Sequence, residues 1–77
     1  MPTLIVVRDI VGPVPYWSSG STLPEARKNF KKFSGKFPSA KASIVAFKGD
    51  GEDLDNIQVT DLGDIVFNRR LVKTVIQ

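Results

Sequence analysis

The apolar positions of this chain repeat with three different spacings, and each predicts a different element. Leu4-Ile5-Val6-Val7 is a continuous apolar run rich in β-branched residues, continued by Ile10 and Val11 after Arg8-Asp9. It predicts a strand from Leu4 to Val11 with apolar groups on both faces, as in the interior of a sheet. Gly12-Pro13 breaks it. Val14-Pro15-Tyr16-Trp17 then predicts a short partner strand, which the two prolines Pro13 and Pro15 confine to an edge or a bulge. Ser18-Ser19-Gly20-Ser21 reads as a turn.

From Leu23 the spacing becomes helical. Leu23, Ala26, Phe30 and Phe33 recur at three- and four-residue intervals, so one stripe of an amphipathic helix should face a core. Its start has the residues of a capping box: Thr22 as N-cap, Pro24 in the first turn and Glu25 at the third helical position. The carboxylate should reach back to the cap, where its charge also suits the positive end of the helix. Ser34-Gly35 should end the helix, glycine taking the left-handed cap.

Beyond the helix the period shortens to two. Lys41 to Lys48 predicts a second long strand, and Asp50-Gly51-Glu52-Asp53 a turn-rich loop. Asn56–Thr60 and Asp64–Asn68 predict a hairpin around Asp61-Leu62-Gly63. A two-residue loop would set Ile57 opposite Asn68. A three-residue loop with Gly63 left-handed sets Val59 opposite Ile65 and Ile57 opposite Phe67, gathering all four apolar groups on one face, and is preferred. The β-branched content of Leu71–Ile76 predicts a last strand, although its spacing also suits a short helix. The order β-β-α-β-β-β in one domain, residues 1–77, predicts an α+β fold. A single curved antiparallel sheet with the helix on one face is the economical arrangement.

The helix entry Gly20-Ser21-Thr22-Leu23-Pro24-Glu25-Ala26-Arg27-Lys28-Asn29 resembles that of HicB-type antitoxin domains. There a hairpin leads into a glycine-polar-threonine helix start followed by similarly spaced glutamate, alanine and asparagine. The resemblance covers this short stretch and implies the strand–helix order. The C-terminal DNA-binding motif often found in that family has no evident counterpart here.

Composition narrows the function. The 77 residues contain neither cysteine nor histidine. That removes disulfides, thiol nucleophiles, thiolate and imidazole metal ligands and the usual general base. Ser18, Ser19 and Ser21 have no histidine to activate them, and the glycines form no phosphate-binding fingerprint. Asp61 and Asp64 flank a turn, but paired-carboxylate chemistry needs a cleft and one raised pKa, which a domain this small rarely provides. No enzyme activity and no cofactor are expected. The apolar start is too short for a membrane span and lacks the basic residues of a signal peptide, so a cytoplasmic, membrane-free protein is expected.

Charge narrows it further, because it is sorted into blocks. Arg27, Lys28, Lys31, Lys32, Lys36, Lys41 and Lys48 follow one another with no acid between them, and then Asp50, Glu52, Asp53, Asp55, Asp61 and Asp64 with no base. The basic block points to a phosphate-bearing partner, with Arg27, Lys28, Lys31, Lys32 and Lys36 as candidate nucleic-acid contacts. Nucleic acid is the favoured ligand; a solvated helix face is the plainer alternative. The acidic block lacks the ligand spacing and distant glutamate of a calcium loop, so no metal is expected. Tyr16 and Trp17 are candidate protein-interface anchors if exposed; alternatively Trp17 caps one end of the core. The alternative function is a protein-interaction or self-associating module, such as a phage-type regulator that binds a host protein. A homodimer is expected in which the basic helix of one copy meets the acidic loop of the other, because so short a chain leaves sheet edges uncovered.

Overall fold

The computed structural model describes residues 3–72. Its central element is β1 (Thr3–Val11), which pairs antiparallel with β2 (Val14–Gly20) on one side and β3 (Ser43–Lys48) on the other. The apolar run on both faces of β1 has its physical consequence here. Ile5 and Val7 point to one side and join Ala42, Ile44 and Ala46 beneath the helix residues Ala26 and Phe30. Val6 points to the other side and joins Phe47 and Ile65. Two cores therefore share one sheet.

The first core is covered by α1 (Leu23–Ser34), with Leu23 packed at its margin. The second is covered by another three-stranded antiparallel sheet, β4 (Ile57–Val59), β5 (Ile65–Phe67) and β6 (Arg70–Leu71), in that spatial order. Between β3 and β4 lies the five-residue helix α2 (Gly51–Asp55), whose Leu54 packs into the second core. The α+β class and the order of the main elements follow the sequence pattern. The strands, however, divide into two sheets, the first lying between the helix and the second, rather than forming one curved sheet. The apolar even face of β1 had to be buried, and β4–β6 bury it.

The predicted hairpin register holds: Ile57 faces Phe67 and Val59 faces Ile65. Gly63 adopts φ 82°, and a Cβ there would lie 2.8 Å from the Trp17 Cβ, so both backbone and space require glycine. β5 turns into β6 through Asn68 and Arg69, both left-handed at φ 52° and 62°. This is the signature of a tight two-residue hairpin. The predicted final strand is present at Leu71, with the Val72 amide bonded to the Ile65 carbonyl; its remainder, 73–76, lies outside the described residues.

Two local expectations change. Ser18-Ser19-Gly20 is strand rather than turn: Val7 pairs with Ser18, Val6 with Ser19 and Ile5 with Gly20. Small polar residues are tolerated because α1 packs directly over this end of β2 and buries Ser18. Asp50-Gly51-Glu52-Asp53 is not a loop but the start of α2. The Asp50 carboxylate accepts from the Asp53 amide at 2.8 Å, and the Asp53 carboxylate accepts from the Asp50 amide at 3.2 Å. Reciprocal capping is strong enough to set a single helical turn.

Candidate nucleic-acid interface

α1 positions the basic block. The Glu25 amide donates to the Thr22 hydroxyl at 3.3 Å, and Gly35, at φ 81°, closes the helix by donating to the Lys31 carbonyl at 2.8 Å. The Glu25 carboxylate reaches the Ser21 amide at 3.4 Å instead of the cap residue's own, one residue further back than a standard capping box. With both ends fixed, Ala26 and Phe30 face the sheet, and Arg27, Lys28, Lys31 and Lys32 are all exposed on the rest of the surface. Arg27 and Lys31 form one i, i+4 pair and Lys28 and Lys32 another, so like charges are neighbours along the helix. Lys36 is exposed just beyond the cap.

Among the described residues the one salt bridge joins Arg8 to Asp64, and none of these five cations has an acidic partner within 4 Å. Lys31 Nζ instead sits 4.6 Å above the ring of Phe37, itself 60% exposed. Leu23, Pro24, Arg27, Phe37 and Pro38 line a shallow recess beside it. An exposed aromatic ring flanked by Arg27 and Lys31 offers a stacking surface next to cations. Proximity in sequence placed Phe37 near this block; the cation–π contact needed the turn after Gly35.

The acidic block lies elsewhere. α2 belongs to the layer on the far side of the β2-β1-β3 sheet from α1, whereas Asp61 of the β4–β5 turn reaches the outer edge of β2, in a groove shared with Lys32. The carboxylates of α2 therefore do not fold back over the basic face of α1. The Asp50 and Asp53 carboxylates are occupied by α2's own amides, and Asp64 by Arg8 at 2.7 Å. Among the described residues no three acidic side chains converge as a ligand set, and no helix is long and apolar enough to cross a membrane.

Tyr16 and Trp17 do not form a joint exposed anchor. Successive residues of β2 point to opposite faces. Trp17 packs half-buried into the second core against the Gly63 turn, whereas Tyr16 lies on the α1 side, 37% exposed. Both nevertheless line a groove along the outer edge of β2, together with Pro15, Ser19, Asn29, Lys32, Phe33 and Asp61. Phe33 is the residue that the helical spacing misplaces: it is 73% exposed rather than buried. On a helical wheel it falls at the margin of the apolar stripe, about 60° from Phe30 toward Asn29, where α1 overhangs the edge of β2.

Across this surface one carboxylate has a shifted titration. The Ser39 amide donates to Asp9 Oδ2 at 2.6 Å and the Ile10 amide to Oδ1 at 2.9 Å. The Ser39 bond, foremost, holds the Asp9 carboxyl below its ordinary value despite some burial. It also ties the segment that follows α1 to β1.

No known protein family, curated protein or solved structure matches this chain. The likeness of Gly20–Asn29 to HicB-type domains is thus confined to a helix entry whose capping chemistry many proteins use.

Proposed function

We propose that the chain is a non-enzymatic, cytoplasmic module that binds nucleic acid through the outer face of α1. The observation that carries this reading is the separation of charge. Arg27, Lys28, Lys31, Lys32 and Lys36 are exposed and without acidic partners among the described residues, with a β-sheet between them and α2. A cationic face whose charges are not internally compensated releases counterions when it meets phosphates, and that release drives binding irrespective of sequence. Phe37 beside Arg27 and Lys31 adds a surface for an unpaired base, which favours single strands over duplex. The lack of histidine and cysteine supports a binding role over a catalytic one.

Fluorescence anisotropy with mixed-sequence single-stranded and duplex oligonucleotides tests the reading. Changing Lys28, Lys31 and Lys32 together to glutamine should weaken binding for every sequence. The slope of log affinity against log salt should fall by about 0.7 to 0.9 for each phosphate that is no longer neutralised. Absence of binding by the unmodified protein at low salt overturns the proposal.

A further inference from the structure

β2 is an open edge of its sheet, and its free hydrogen-bonding groups can be identified. Gly12-Pro13 is a two-residue turn between the paired residues Val11 and Val14. In such a hairpin the flanking pair exchanges main-chain bonds, and every second pair after it does the same. Val14, Tyr16, Ser18 and Gly20 therefore bond inward to β1, while Pro15, Trp17 and Ser19 turn their main-chain groups outward. Pro15 fits this assignment, having no N–H to donate in either direction. So does Asn29, whose side-chain amide comes over the edge from α1 and donates to the Ser19 carbonyl at 2.8 Å. The groups left on the edge are the Pro15 carbonyl, the Trp17 amide and carbonyl, and the Ser19 amide. Among the described residues none of them accepts or donates a hydrogen bond elsewhere.

We infer that this edge pairs with the same edge of a second copy, antiparallel about a two-fold axis at Trp17. In that register each Trp17 exchanges both main-chain bonds with Trp17 of the second copy. Each Ser19 amide reaches the Pro15 carbonyl of the second copy. The remaining position of the ladder would join a Pro15 donor to a Ser19 acceptor. Pro15 has no donor, and Asn29 already occupies that acceptor. The missing donor and the pre-occupied acceptor fall opposite each other, so no main-chain group along the contact is orphaned. Sliding the register by two residues in one direction leaves the Trp17 carbonyl facing Pro15. Sliding it in the other makes Trp17 compete with Asn29 for the Ser19 carbonyl. Donor and acceptor complementarity thus selects a second copy of this chain, in one register.

The side chains agree. Val14–Gly20 carries no charge, whereas β3, the other edge, ends in Lys48, the kind of residue that protects an edge from pairing. The two-fold sets Tyr16 opposite Ser18 of the second copy on the helix side, beneath the overhanging Phe33. The β2 groove becomes the interior of a continuous sheet in which each contact occurs twice. The contact differs from the helix-to-acidic-loop dimer expected from charge alone, and it stands independently of the nucleic-acid reading.

Sedimentation velocity on the protein without nucleic acid, from micromolar to millimolar concentration, tests it. The unmodified chain should pass from monomer to dimer. N-methylation of the Trp17 amide, by chemical synthesis, keeps the side chain, removes the outward donor and sets a methyl group where the second copy would pair. It should raise the dimer dissociation constant about thirtyfold, as expected for two missing hydrogen bonds of ordinary net worth. Phe33→Lys, at an exposed position, should weaken the dimer while leaving the melting curve of the dilute monomer unchanged. Trp17, the only tryptophan, should give an exciton-coupled circular dichroism signal that grows with dimer fraction. A monomer throughout the range, as expected if the edge receives a peptide from another protein, overturns the inference. So does a dimer indifferent to both Trp17 N-methylation and Phe33→Lys.

Discussion

Arg8 and Asp64, 56 positions apart in the chain, meet at 2.7 Å and join the two sheets at one corner. The same Arg8 nitrogen donates to the Leu62 carbonyl at 3.1 Å. A cation on β1 therefore gathers both the main chain and the carboxylate of the turn that leads into β5. The pair is about one-third exposed on each side, so water competes with it, and the link is worth less than its geometry suggests.

A double-mutant cycle measures that link. Arg8→Met and Asp64→Asn, alone and together, should show a coupling of about 0.5–1 kcal/mol in chemical denaturation at low salt, shrinking as salt is added. Additive effects would mean that the turn is held by its backbone bonds and Trp17 alone.

Gly35 and Gly63 separate two causes of glycine dependence. Both are left-handed, at φ 81° and 82°, but a Cβ at Gly35 meets nothing within 4 Å, while one at Gly63 strikes Trp17. Gly35→Ala should cost about 1 kcal/mol through the backbone alone. Gly63→Ala should cost more, and the excess should appear with a shift in Trp17 fluorescence. Equal costs would show that Trp17 yields without penalty.

The Asp9 carboxyl titrates below its ordinary value because the Ser39 amide binds its charged form. Its contribution to stability is present above the unfolded-state value, near 3.8, and is lost as pH falls toward the lowered folded value. In that window the unfolded chain binds more protons than the folded one. Asp9→Asn should therefore flatten the acid limb of a melting-temperature profile below that pH and leave relative changes above it untouched. An unaltered acid limb would assign the loss to other carboxylates.

The elements most legible in sequence were those fixed by local rules. Thr22 and Gly35 bracket α1 by capping chemistry, and parity alone sets Ile57 against Phe67. The second sheet was not legible as a separate layer. Val6 and Leu4 announce that the far face of β1 is buried, but no local rule says by what. Three-residue strands such as Ile57–Val59 carry too little pattern to choose a neighbour. Ser18-Ser19-Gly20 has the composition of a turn and is held as strand by the helix above it. The basic candidates on α1 follow directly from helical spacing. The β2 groove does not, because Phe33 and Asn29 join Pro15 and Trp17 only once α1 crosses the sheet edge.

The sheet between α1 and α2 also gives the molecule a direction. The exposed cations of α1 lie on one side of it and the carboxylates of α2 on the other, so the net charge of +3 is unevenly distributed. If nucleic acid is the ligand, its phosphates would turn α1 forward before contact, once within about a Debye length. The encounter would then be productive from a wide range of starting orientations, and most so at low salt.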